Sequence, residues 1–149
     1  MTWKSHRAVT FVTVFVLTNS IFASICSSIG STFPDQVEGA NWEIGHRTFS
    51  HWFVMYLPFL YWTYSKDVFH MDSIFGYVNG KELLLMMGFW YLMGGIFHIL
   101  EDAVCGNVPV FWPTKRMRIF PRLFYVGTTG EYIFVFIYCI GMVAFNLTK

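Results

Sequence analysis

Four stretches of this chain contain no Asp, Glu, Lys or Arg: residues 8–34, 48–65, 83–100 and 132–148. The last three run 17 to 18 residues, at the short limit for a helix crossing a hydrocarbon core of about 30 Å. The first runs 27 residues, enough for one long span or two short helices. No period-two alternation marks a membrane β-barrel. The apolar residues are not confined to one helical face, as expected where helices meet lipid as well as each other. The chain therefore reads as all-α: a multi-pass helical membrane protein of four to five helices, forming a single membrane-embedded domain over residues 1–149. Charged residues make up 13% of it, against roughly 25% in soluble proteins. Hydrophobic residues make up 55%, with 17 Phe, 8 Tyr and 6 Trp. One soluble domain of this size could not bury so much apolar surface. The composition also excludes a disordered chain, a coiled coil and a charge-driven nucleic-acid binder.

Lys4 and Arg7 precede the first apolar run, as in a secretory signal, but a run reaching Pro34 is long for one. Cys26, Cys105 and Cys139 have no metal-like spacing and read as reduced packing residues. Gly94-Gly95 reads as a point of close helix approach. Four spans would put five basic residues on each side, so the positive-inside rule assigns no orientation.

An up-and-down arrangement places the 31–50 and 101–131 connections on one side. Asp35, Glu38, His46, His51, His98, Glu101, Asp102 and Glu131 all fall in or beside them. Ionisable groups at a membrane boundary are costly and point to function, and His with carboxylates is the usual vocabulary of metal sites. His98 and Asp102, at i,i+4, share a helical face with Cβ atoms about 6 Å apart. They either ligate one divalent ion or form a hydrogen-bonded pair at a helix end. Glu101 is read as facing the headgroups. His46 and His51 are five apart and do not share a face of a continuous helix; His46 fits a turn and His51 the first helical turn after it. Arg47 suits a phosphate oxygen or a lipid headgroup. Residues 107–113, Asn-Val-Pro-Val-Phe-Trp-Pro, cannot form a regular helix. With Trp112, Lys115, Arg116, Arg118 and Arg122 they suit a segment at headgroup level, flanking a lipid or a substrate.

These motifs carry a resemblance. Pro34-Asp35-Gln36-Val37, Gly45-His46-Arg47-Thr48-Phe49-Ser50-His51, Gly94 to Asp102 with His98, Val108-Pro109-Val110-Phe111-Trp112-Pro113 and a late Glu131 stand in the order of one family. Met1-Thr2 and His6 open the match, and only residues 52–85 are loosely similar. The chain resembles the YdjM-like family of LexA-regulated, membrane-bound metal-dependent hydrolases of the bacterial inner membrane. Its ligand order is also, more loosely, similar to that of zinc-dependent phospholipase C. Two positions depart from the family: Val37 stands for a second aspartate, so that the site either binds fewer metals or takes Glu38 from the next position instead, and Glu101 stands for a small or apolar residue.

The resemblance implies a metal site of His6, Asp35, His46, His51, His98, Asp102 and Glu131, holding one or more divalent ions, with zinc the favoured metal. Asp35 or Glu131 would orient or deprotonate water, and Arg47 would neutralise a phosphoryl oxygen. If His6 and Asp35 share a site, residues 7–34 cannot be one straight helix, which would hold its ends about 40 Å apart. A re-entrant hairpin turning at Thr18-Asn19-Ser20 is expected instead. The expected function is hydrolysis of a phosphoester in a lipid or lipid-linked substrate. The expected partners are membrane lipid and that substrate, with no nucleic acid. The alternatives are a non-enzymatic membrane protein (adaptor, immunity factor or channel subunit) with a structural or degenerate metal site, and a haem protein.

Overall fold

The computed structural model describes residues 1–39, 48–66 and 80–148. Helix α1 (Trp3–Thr18) is capped by Thr2, whose hydroxyl accepts from the Ser5 amide. It ends at Asn19, which adopts the left-handed conformation (φ 53°) that asparagine tolerates better than most residues. Ser20 then caps α2 (Ile21–Gly30) by accepting from the Ala23 amide. The polar cluster Thr18-Asn19-Ser20 thus ends one helix and starts the next. The two lie antiparallel, with Ser28 Oγ donating to the Arg7 carbonyl. A short α3 (Phe33–Gly39) follows and carries Asp35.

Residues 48–65 do not form the span expected of them. Two 3₁₀ turns, Phe49–His51 and Phe53–Met55, precede the eight-residue α4 (Leu57–Tyr64). Extended backbone at Trp52 separates the turns. Pro58 sits in the first turn of α4, where a proline starts a helix and cannot continue one from upstream. Among the described residues, two helices are long and apolar enough to cross a membrane: α5 (Gly80–Cys105) and α6 (Thr129–Leu147). Helix α6 leaves Phe136, Ile137, Ile140 and Leu147 exposed, the kind of apolar surface that lipid covers.

Between α5 and α6 lies a small antiparallel ribbon, β1 (Val108–Trp112) and β2 (Lys115–Met117). Pro109, opposite Arg116, is tolerated because neither strand of a two-stranded ribbon has a further neighbour.

Helix α5 is the axis of the molecule, and α2 lies against it where side chains are absent. A Cβ on Gly94 would overlap the Ser27 carbonyl, and one on Gly30 would overlap the Tyr91 carbonyl. Ser27 Oγ donates to the Trp90 carbonyl across the same contact. The expected close approach at Gly94-Gly95 is therefore the α2–α5 contact, with Gly95 against the Tyr56 ring. This packing brings the start of α1, the start of α3, the turn at His51 and the last third of α5 to one place.

Candidate metal centre

His98 and Asp102, one turn apart on α5, are both buried. Their Nε2 and Oδ2 atoms are 3.7 Å apart. Three other elements bring groups to this pair. The antiparallel hairpin returns both His6 and Asp35, 29 positions apart, to the same end. His6 stacks on His98 with ring centroids 3.9 Å apart, and its Nε2 is 3.3 Å from Asp102 Oδ1. From α3, Asp35 Oδ1 is 3.5 Å from His98 Nε2 and 3.4 Å from His51 Nε2. The 3₁₀ turn aims His51 inward, with its Nε2 3.0 Å from His98 Nε2.

Two overlapping groups have ligand atoms that all lie within 4.8 Å of one another: His6, Asp35 and His98, and His51, His98 and Asp102. His98 belongs to both. His6 Nε2 and Asp35 Oδ1 are buried without hydrogen-bond partners, a state that ordinarily costs a few kcal/mol per group. Both atoms face the cluster. Unpartnered nitrogen and oxygen donors converging on one point suit a borderline divalent cation, so the residues present fit the expected metal.

Two outer carboxylates orient the histidines. Glu101 Oε2 is 2.5 Å from His6 Nδ1, and its Oε1 accepts from Thr10 Oγ1 at 2.7 Å. Glu38 Oε1 is 3.1 Å from His51 Nδ1 and also accepts from Ser50 Oγ and the Thr48 amide. A carboxylate on one imidazole nitrogen fixes the ring and raises the basicity of the other, the usual second shell of a metal-binding histidine. Trp3 Nε1 likewise donates to Asp35 Oδ2. Asp102 Oδ1 accepts from the Met1 amino group at 2.5 Å.

The electrostatics follow from these contacts. Burial opposes ionisation of Asp35, but the imidazoles of His51 and His98, each close to its Oδ1, outweigh it and hold the carboxyl well below its usual range. Burial likewise opposes charge on His51, but Asp35 and Glu38 outweigh it and raise its affinity for a proton.

His6, Asp35, His51, His98 and Asp102 are thus brought together. His46 and Arg47 lie outside the described residues. Glu131 belongs to neither group: its Oε1 accepts from the Thr2 amide and hydroxyl, and its Oε2 from the Gly127 amide. It ties the start of α1 to the start of α6, so its assignment as ligand and water-activating carboxylate is corrected. Glu101 is also corrected. It is buried against His6 and Thr10 instead of facing headgroups, because those two donors, one turn apart on α1, grip both its oxygens. Glu38 does not replace a ligand at position 37. It supports His51, and Val37 is exposed. The supporting roles of Glu38 and Glu101 had a usable signal: each stands three residues along a helix from a ligand, Asp35 and His98. Trp112, Lys115 and Arg116 are exposed on the ribbon, and Arg118 is exposed just past its end.

A family model described as YdjM inner membrane protein matches residues 1–148. No curated protein and no solved structure matches the chain, and the looser likeness to zinc-dependent phospholipase C finds no support here. From its first residues to the end of α6, the chain belongs to the YdjM inner membrane protein family.

Proposed function

We propose that this protein is a membrane-bound, metal-dependent hydrolase acting on a phosphoester of a lipid or lipid-linked substrate. The observation that carries the reading is the convergence of His6, His51 and His98 Nε2 with Asp35 and Asp102, two of these atoms being buried and unpartnered. When bound, a divalent ion, with zinc favoured, supplies a Lewis acid that polarises the phosphoryl group and lowers the pKa of water towards neutrality. In this reading Asp35 orients that water: it is ionised, and its side chain is the most exposed of the five, at 14%. Glu38 and Glu101 hold His51 and His6 in register. Arg47 takes the phosphoryl oxygen in this reading, on the strength of the family resemblance.

The topology belongs to the proposal. Helices α5 and α6 cross the membrane, while α1 and α2, about 24 and 15 Å long, enter and return without crossing. A cysteine at Asn19 should then be labelled from the same side as the metal site; labelling from the opposite side overturns the hairpin.

A non-enzymatic role with a structural metal is favoured by one observation, the complete burial of all three histidines, since closed sites are structural and catalytic ones keep an open position. Elemental analysis tests the metal. Natively purified protein should carry a divalent ion that His98→Ala loses; absence of metal, or unchanged content in the variant, sinks both roles. Release of phosphorylated product from phospholipid by the metal-loaded protein, absent in Asp35→Asn, then separates hydrolase from structural site.

A further inference from the structure

A cavity of about 560 Å³ opens beside the C-terminal end of α5, lined among others by Cys105, Arg116, Arg122 and Tyr125. We propose that it is a phosphate-binding site, with Arg116 and Arg122 as the recognising groups. Its place in a reaction rests on the hydrolase reading; the binding itself does not.

The two guanidinium groups arrive from different elements. Arg116 stands on β2 opposite Pro109. Arg122 lies in the segment before α6, its guanidinium 4.7 Å from the centre of the Tyr125 ring. Among the described residues neither has a carboxylate partner, whereas the carboxylates at this end are engaged by histidines, hydroxyls, amides or, at Asp102, the Met1 amino group. Two uncompensated cations on one concave wall attract an anion. Their planar forks of donors match the paired oxygens of phosphate, which a lysine ammonium would meet only as a point charge.

The wall is built before any ligand arrives. The Leu123 amide donates to the Val104 carbonyl, fastening the arginine-bearing segment to α5. Thr128 Oγ1 donates to the Tyr125 carbonyl and closes the next turn. Glu131 accepts from the Gly127 amide and holds that turn against α1. This accounts for Glu131: it shapes the cavity instead of joining the metal cluster.

The cavity also adjoins the metal centre. Cys105 lines it, and the Cys105 thiol lies 3.8 Å from Asp102 Oδ1. Cys105 thus stands between the cavity and a metal ligand. Val126, which lines it, and Phe120 and Leu123, close to Arg122 in the chain, are exposed, a setting for a group at a lipid surface. The same chemistry would hold a lipid headgroup or free phosphate.

The test uses the full chain in a zwitterionic detergent, titrated calorimetrically with orthophosphate and with a short-chain phosphatidate. Arg116→Gln/Arg122→Gln should weaken both at least ~10-fold, from loss of two charge-assisted contacts. Both residues are exposed, so the substitutions spare the core. Lys66→Gln/Lys81→Gln removes the same charge elsewhere, Lys81 standing at the opposite end of α5 from Cys105, and should leave binding within about twofold, as expected where screening limits distant charges. Tighter binding of phosphatidate identifies a lipid headgroup as the natural source, and equal binding identifies the free ion; either supports the site. No binding of either probe overturns it. So does an equal loss in the two double variants, or a loss in Lys115→Gln/Arg118→Gln as large as that in the cavity variant, because charge on the ribbon at large would then be responsible. Binding that survives loss of the arginines but vanishes on metal chelation overturns it while leaving the hydrolase reading intact. Arginine-dependent binding to protein that carries no metal does the reverse.

Discussion

Glu101 reaches the metal centre only through His6. Its carboxylate touches the imidazole nitrogen that faces away from the cluster, so Glu101→Gln keeps the shape but removes the charge that makes His6 a better ligand. Metal affinity should fall about 10- to 100-fold, measured by competition with a chelating dye; an unchanged affinity would reduce Glu101 to a packing residue. Glu131 is the contrasting case. Glu131→Gln weakens the acceptor shared by Thr2 and Gly127 and should cost about 1–3 kcal/mol of stability, read in thermal unfolding. It should leave metal per chain unchanged, and loss of metal would return Glu131 to the ligand set. The two glutamates show what the sequence displays of a site. The i,i+4 spacing of His98 and Asp102 is local, so their shared face was legible. The partners that make a buried Glu101 affordable, His6 and Thr10, lie 95 and 91 positions away, and without them a carboxylate at the end of an apolar run reads as solvated.

At the scale of elements, the α2–α5 contact holds the centre together, because α3 and Asp35 follow α2 directly while His98 stands on α5. Gly94→Ala places a methyl on the Ser27 carbonyl. The obstacle is backbone, so no rotamer change relieves it. Overpacking of this kind costs about 1–3 kcal/mol, and here it should also lower metal occupancy by pushing α2 and Asp35 away from His98. Gly88→Ala, on the same helix with nothing within 4 Å of the added carbon, should gain roughly 0.5–1 kcal/mol from helix propensity and keep its metal. Matching behaviour of the two variants in unfolding and elemental analysis would dismiss the contact as the organising feature. The reversal at Asn19-Ser20 was legible because a polar cluster and two good capping residues interrupt an apolar run. Residues 48–65 were misread because composition cannot distinguish a span from an apolar segment broken at Trp52 and restarted at Pro58. The ribbon at Val108–Met117 was legible only as something other than helix: its prolines forbid one structure without specifying another.

At the scale of the whole molecule, the described charges at the site end of α5 are sorted. Carboxylates and histidines fill the centre, and arginines line the adjoining cavity. Such a cluster couples metal to protons, and the sign can be worked out at His51. Facing it are Asp35 and Glu38 from α3 and His98 and Asp102 from α5. Its proton affinity in the metal-free protein is raised. The paired, protonated ring therefore contributes its full stabilisation below the ordinary histidine value of about 6.5 and loses it as pH rises through the raised value. Asp35, held low, keeps its contribution until strongly acid pH. A divalent ion reverses the order at His51, because ligation requires the neutral ring and expels the proton. Metal at about 100 times its dissociation constant adds about 2.7 kcal/mol, and raising the pH strengthens the metal-loaded protein while weakening the metal-free one. The rise in Tm on adding zinc should thus be larger near pH ~8 than near pH ~6, on either side of the ordinary histidine value. Paired thermal scans with zinc and with a chelator measure it directly. A zinc-induced shift of equal size at both pH values would mean that the ion binds without His51, and the centre would have to be rebuilt around His6, Asp35 and His98 alone.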